Sequence, residues 1–360
     1  MNERDKVNVA IVGAGIITSL IHIPVLRQIS NSKLVGIYDI ISETSESVAR
    51  RNKIPKVYES LEDLVEDDAI DLVNICTPIH THIPIIETAL KAGKNVITEK
   101  PLAANSEEAD RVVKLSERKN LVLGVSQNHL YSKAIQGLNT RIGEGDLGEL
   151  QLLNITYPIT MYKKDHWTTN PDTGGILFEL GIHPSYIATF LFGRGDTTTA
   201  FGNYPTKERP MGSIVINLKR DNGVCNIVLP PIEDQPTIRA YGTKAYEFVN
   251  LFADSNIFNE ERISKEYGPM PMMPMTIAGF YYIRDWIDSS FKVAYAYFKK
   301  GVKYLIYRHR MINQYTFFNE IISSILTHNE DLRKKNQKYL EVAVDSIRLL
   351  EKVQKCLTGT

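Results

Sequence analysis

An apolar, β-branched run, Val7-Asn8-Val9-Ala10-Ile11-Val12, enters Gly13-Ala14-Gly15, and a second such run, Leu34-Val35-Gly36-Ile37-Tyr38, ends in Asp39. Between them lies a segment with helical spacing. Few folds accept a buried strand, a glycine turn, a helix and a second buried strand ending in a carboxylate. The pattern is that of a strand–loop–helix–strand unit cradling a dinucleotide. Gly13 permits the tight turn, and Gly15 lets backbone approach a pyrophosphate. That group would sit on the N–H groups of Ile16 and Ile17 at the start of the helix. Asp39 is placed to accept hydrogen bonds from a ribose. The third small position of the pattern is Thr18.

The alternation continues. Strands are predicted over Val7–Val12, Leu34–Tyr38, Val57–Glu59, Leu72–Cys76, Asn95–Thr98 and Leu121–Val125. Helices fit between them around Ile17–Ser30, Glu43–Lys53, Leu61–Glu66, Ile83–Lys91 and Ser106–Lys119. Such regularity implies a mainly parallel, Rossmann-type α/β sheet with ligands at the carboxyl ends of its strands. Thr77-Pro78 through His82 and Glu99-Lys100-Pro101 follow strands directly, so both lie on that edge.

From about Gly148 strands follow one another: Leu150–Tyr162, Thr197–Tyr204, Ser213–Lys219, Val224–Leu229, Thr237–Tyr241 and Glu247–Phe252. Asp221-Asn222-Gly223 is a hairpin turn signal. One helix, Gly175–Leu191, interrupts them, and two more close the chain around Thr316–Leu326 and Gln337–Leu357. This second half reads as α+β with a mainly antiparallel open sheet. The expected domains are 1–127, binding the dinucleotide, and 128–360, binding substrate and assembling the oligomer. A helical insertion at about 259–313 belongs to the second.

The 360 residues hold 42 basic and 42 acidic side chains, so no global field recruits nucleic acid. Three scattered cysteines form neither a disulfide framework nor a zinc spacing, and His80 and His82 lack the further ligands of a metal site. The charged start, running straight into a strand, predicts no cleaved leader. No stretch of about eighteen uncharged apolar residues exists to span a bilayer. A cytoplasmic protein is expected.

The motifs resemble the glucose–fructose oxidoreductase/inositol dehydrogenase (Gfo/Idh/MocA) family. The resemblance rests on Gly13-Ala14-Gly15, on Thr77-Pro78 with His82, on Ala92-Gly93-Lys94-Asn95-Val96 running into Glu99-Lys100-Pro101-Leu102, and on Gly174-Gly175 through Gly181-Ile182-His183. It implies that Lys100 and His183 act at a reacting hydroxyl with Glu179 as an accompanying acid. It also implies a homodimer or homotetramer. Relative to the family, glutamate replaces aspartate at 179, Tyr186 stands where an acid often follows the histidine, and an arginine near Leu130 is missing.

The chemistry stands beside the name. Withdrawing hydride from a carbinol carbon requires a base for the hydroxyl proton and a cation for the developing alkoxide. Lys100 can supply the charge, and His183, with an ordinary pKa of about 6.5, can exchange the proton. Glu179, four residues earlier, would share a helical face with His183. Thr77, Pro78, His82, Glu99 and Asn128 are expected around the cofactor, with His166 and Trp167 on the substrate side. NAD is favoured because a 2′-phosphate would be repelled by Asp39; Arg50 and Arg51, a helix away, keep NADP open.

The predicted activity is a dehydrogenase acting on a secondary alcohol of a sugar, cyclitol or nucleotide sugar. Two rivals use the same scaffold: a glycosidase with transient oxidation, and a non-catalytic sugar or NAD sensor. The basic, aromatic stretch 286–310 would suit helix packing or contact with an anionic membrane surface.

Overall fold

The computed structural model describes residues 6–159, 175–202, 212–231, 235–251, 254–259 and 303–359. His166, Trp167, the stretch 286–302 and most of the expected insertion lie outside them.

The first half builds one parallel sheet. Its strands are β1 (Val7–Val12), β2 (Ser32–Tyr38), β3 (Lys56–Val57), β4 (Leu72–Ile75), β5 (Asn95–Thr98) and β6 (Leu123–Val125), in the order β3-β2-β1-β4-β5-β6. β1 and β4 bury nearly every side chain, as strands covered on both faces must. The order reverses between β1 and β4, and the crevice beyond such a switch point is where ligands of open sheets bind.

The helix after β1 departs from a regular α-helix. It begins as a π-helical turn, Thr18–His22, in which the Ile23 N–H donates to the Thr18 carbonyl, and then runs on as α1 (Ile23–Gln28). Pro24 has no N–H for the Leu20 carbonyl, so the ordinary ladder fails there and the wider turn accommodates the gap. Thr18 and His22 both face inward and are fully buried. The remaining helices of this half are α2 (Ser42–Arg51), α3 (Leu61–Glu66), α4 (His82–Lys91) and α5 (Ser106–Arg118).

The second half opens with α6 (Lys133–Glu144), which sequence periodicity does not reveal, and continues into a seven-stranded sheet. Its strands are β7 (Leu150–Thr156), β8 (Thr197–Gly202), β9 (Ile214–Arg220), β10 (Gly223–Leu229), β11 (Thr237–Gly242), β12 (Tyr246–Asn250) and β13 (Ser255–Asn259), ordered β13-β12-β11-β7-β10-β9-β8. β7 and β10 pair in parallel, and every other neighbour is antiparallel. β9 and β10 are joined through Asp221-Asn222, with Asp221 in the left-handed region at φ 49°. Buried and half-exposed residues alternate along β10, the signature of a sheet with one covered face. Arg141 of α6 forms a two-pronged ion pair with Glu247 of β12, whose carboxylate is wholly buried, and this fastens α6 to the sheet.

The expected helix Gly175–Leu191 is two helices, α7 (Gly175–Glu179) and α8 (Ile182–Leu191). The chain turns at Leu180-Gly181, where a Cβ on Gly181 would lie 2.4 Å from the Leu177 carbonyl oxygen. Only glycine permits so close an approach.

The last two helices, α9 (Lys303–Thr327) and α10 (Glu330–Thr358), bind the two sheets together. α10 packs on α8 and β8 and also on α5 and β6. Gln314 of α9 hydrogen-bonds Ser126, and Glu351 of α10 accepts from Ser106 N–H and Oγ at 2.8 and 2.7 Å.

Candidate active site

The site assembles from loops at the carboxyl ends of β1, β4 and β5, closed from the other side by the α7–α8 turn. At β1, Gly13 adopts φ 98° and its N–H donates to the Tyr38 carbonyl. A Cβ there would lie 2.5 Å from the Cys76 carbonyl oxygen, so the close passage of two strand ends excludes any other residue. Gly15 is the opposite case, with open space where its Cβ would stand. Thr18 Oγ1 donates to the Gly13 carbonyl at 2.7 Å, so a hydroxyl here braces the loop. Ile16 and Ile17 are exposed beside Gly15, at the start of the helix.

Asp39 is half-buried at the tip of β2. Its Oδ2 accepts from Ala14 N–H at 2.7 Å and its Oδ1 from Ile41 N–H at 2.9 Å. The carboxylate thus holds the glycine loop while each oxygen retains a lone pair for another donor. Arg50 and Arg51 close the far end of α2, about 12 Å along the helix axis from the end beside Asp39.

His82 is buried, with Nδ1 2.8 Å from the Pro101 carbonyl oxygen and Nε2 2.8 Å from that of Thr77. Burial pushes its pKa down. Both ring nitrogens are committed to backbone, so His82 clasps the Thr77-Pro78 loop to the Lys100-Pro101 loop and the expected cofactor contact is indirect. Thr77 is further held by Thr81 Oγ1, which donates to its hydroxyl at 2.7 Å. Pro78 is exposed.

Glu99, expected at the cofactor, turns instead toward the first helix. Its Oε1 lies 2.9 Å from His22 Nε2, and its Oε2 accepts from the Lys100 N–H at 3.3 Å. His22 Nδ1 lies 3.3 Å from Asn74 Oδ1 and 3.3 Å from Cys76 Sγ. Burial works against charge on His22, but Cys76 and Glu99 outweigh it and its pKa is pushed up to about 10. Burial likewise opposes ionisation of Glu99, and the hydrogen bond from His22 overrides it, drawing that carboxyl down to about 2. A buried imidazolium–carboxylate pair therefore sits directly behind Lys100. Sequence reasoning misses His22, because its partners are 52 and 77 residues away.

Lys100 points from this strap toward the second half of the chain. Its Nζ donates to Glu179 Oε1 and to the Glu179 carbonyl, each at 2.8 Å, and both side chains are largely buried. Because the helix breaks at Leu180-Gly181, Glu179 and His183 are not one helical turn apart on a shared face. Glu179 ends α7 on Lys100, and His183 lies in the first turn of α8 with its N–H on the Leu180 carbonyl. His183 is 3% exposed and enclosed by rings: Tyr157 stacks on it at 5.6 Å, and His129 meets it edge-on at 5.4 Å. Its Nδ1 is 2.9 Å from the Tyr186 hydroxyl, which donates to Asn128 Oδ1 at 3.3 Å. Asn128 thus touches the histidine's partner.

The residues fit an NAD cofactor on their own chemistry. Gly15 leaves backbone open to a phosphate, Asp39 has acceptor capacity left, and Gln127 Oε1, buried at the end of β6, has no partner among the described residues. Among the described residues no three metal-ligating side chains gather.

Comparison with known proteins places the chain in a family. Residues 7–127 match the oxidoreductase family with an NAD-binding Rossmann fold, and residues 135–245 match the GFO/IDH/MocA C-terminal domain. The chain belongs to the Gfo/Idh/MocA oxidoreductase family, and its N-terminal domain is of the NAD-binding Rossmann type. An uncharacterized oxidoreductase of Schizosaccharomyces pombe is 32% identical over 199 residues, 54% of each chain. The scyllo-inositol 2-dehydrogenase (NADP(+)) of Bacillus subtilis is 28% identical over 200 residues, again 54% of each. The chain thus matches about half the length of these relatives. A levoglucosan dehydrogenase solved with NADH and levoglucosan superposes with a TM-score of 0.71 over 98% of both chains at 17% identity, which shows the shared fold.

Two measurements probe the site. Gly13→Ala should lose about 1–3 kcal/mol from backbone strain alone, read by chemical denaturation. Gly15→Ala should keep stability within about 0.5 kcal/mol yet weaken NAD binding about tenfold in a fluorescence titration. Equal stability loss in both would contradict the glycine roles. The His22–Glu99 pair sets the pH response. Its contribution is full between about pH 4.5 and 6.5, the ordinary values of the two groups. It fades as pH rises from there toward about 10 and His22 loses its proton, and as pH falls toward about 2 and Glu99 gains one. The melting-temperature gap between the native protein and His22→Gln should therefore be widest near pH 5–6 and narrow toward pH 10.

Proposed function

We propose that this protein is an NAD-dependent dehydrogenase acting on a secondary alcohol of a sugar or cyclitol, or on the corresponding ketone. The observation that supports this most directly is the Lys100–Glu179 contact, which joins the strand-end edge of the Rossmann sheet to the segment carrying His183. Gly13, Gly15, Ile16, Ile17, Asp39, Thr77 and Pro78 would hold the cofactor, and Asn128 would border it through the Tyr186 contact. Bound NAD supplies the acceptor or donor of a hydride.

The chain's own groups do the rest. Lys100, fixed by Glu179 and by the strap behind it, presents positive charge to the substrate oxygen as it gains alkoxide character. His183 takes the hydroxyl proton during oxidation and returns it during reduction. Glu179 keeps the ammonium aimed and shields it from bulk water. Its longer side chain, relative to aspartate, reaches Lys100 itself. A cyclitol or pyranose substrate is supported by the names of two similar proteins, a scyllo-inositol 2-dehydrogenase and a levoglucosan dehydrogenase.

The open face of the second sheet supports self-association, since Phe201 and Tyr241 are 63% and 37% exposed on it. A homodimer or homotetramer is expected by sedimentation, and a monomer at micromolar concentration would rule this out. For catalysis, Lys100→Met and His183→Gln should each lower the rate of NADH formation by about 10²- to 10⁴-fold across a panel of inositols and aldoses. NAD affinity should change little. Unaltered turnover in either variant would refute the assignment.

A further inference from the structure

The imidazole of His183 has two nitrogens, and the direction of one hydrogen bond decides which of them can act as a base. Tyr186 Oη lies 2.9 Å from His183 Nδ1 and 3.3 Å from Asn128 Oδ1, to which it donates. A phenol has a single proton. Once that proton is given to the amide oxygen, the phenol oxygen can only accept from His183 Nδ1. Nδ1 must then carry hydrogen, and in the neutral ring the basic lone pair lies on Nε2.

We propose that Tyr186, itself oriented by Asn128, is a positioning residue that holds His183 in the Nδ1–H tautomer and so makes Nε2 the proton-accepting atom. This rests on the dehydrogenase reading above and names the device by which its base is set. Three features support it. Tyr186 is fully buried, so water does not compete for Nδ1. Tyr157 stacks within 8° of the His183 plane, and His129 stands edge-on to it, so the ring is held against rotation about its bond to Cβ. Asn128 is buried in the short helical turn Asn128–Tyr131, against which both α8 and α9 pack, which fixes the acceptor. A carboxylate three residues after the histidine, as the family often has, would also accept from Nδ1. It would add a full negative charge beside the ring. The neutral phenol orients the imidazole without that charge, so tautomer control is separated from electrostatic stabilisation of the imidazolium.

The test combines a spectroscopic reading with kinetics. Two-bond ¹H–¹⁵N correlation spectra of histidine-labelled protein distinguish a protonated from an unprotonated ring nitrogen, with His183→Gln assigning the signal. The native protein should show Nδ1 protonated and Nε2 bare. An Nε2–H ring would mean that the phenol donates to His183, and would overturn the proposal. Tyr186→Phe keeps the ring's bulk and removes the acceptor. It should mix the two tautomers and lower kcat roughly 10- to 100-fold with KM nearly unchanged. Asn128→Asp keeps an acceptor for the phenol and should retain the native tautomer, whereas Asn128→Leu should not. Full kcat in Tyr186→Phe with an unmixed tautomer would end the positioning role and leave the dehydrogenase reading standing. An Nδ1–H ring in a protein that turns over no polyol or aldose would do the reverse. If Tyr186→Phe fails to fold, the native spectrum and the Asn128 pair decide the matter.

Discussion

A buried charge pair organises the cofactor side of this protein. His22 hangs from the helix that follows the glycine loop, Glu99 stands at the end of β5, and their 2.9 Å contact draws those two elements together across the switch point of the sheet. Removing Glu99 would leave the wholly buried His22 with an uncompensated charge. The wide turn at Thr18–His22 belongs to the same device, since Pro24 interrupts the helical ladder where His22 faces inward. Glu99 passes the constraint on through its bond to the Lys100 N–H. The position of Lys100 therefore depends on a residue in the first helix of the chain.

The second half completes the site from the opposite direction. The break at Leu180-Gly181 lets one short helix deliver Glu179 to Lys100 while the next begins with His183. An unbroken helix would lock the two side chains to one face. Around His183 the packing is aromatic and polar at once: Tyr157 and His129 limit the ring's motion, and Tyr186 with Asn128 fixes its hydrogen bonding. The terminal helices α9 and α10 lie against both sheets, so the two sides of the cleft are joined by more than their chain crossing.

Much of the fold is legible in the sequence, for identifiable reasons. β1 and β5 coincide with apolar, β-branched runs because both faces of a parallel strand are covered and periodicity of two disappears. α6 escapes notice because its buried residues are only Ala134, Ile135 and Leu138, too few to declare a face. β13, the edge strand Ser255–Asn259, carries three polar residues in five. Within the site, Gly13, Asp39, Lys100, Glu179 and His183 stand out by motif. His22, Asn74 and Tyr157 do not, because their meaning lies in partners from distant parts of the chain.

The amino-acid sequence by itself determined the alternation of elements, the glycine turn and the chemical types available at each strand end, all of which follow from local sterics and short-range periodicity. Tertiary structure decided which of those groups meet. It turned Glu99 from an expected cofactor contact into the carboxylate of a buried pair, made His82 a clasp between two loops, and placed a tyrosine oxygen on one nitrogen of His183. Those outcomes depend on distances between residues far apart in the chain, which only the packing of two sheets and their shared helices establishes.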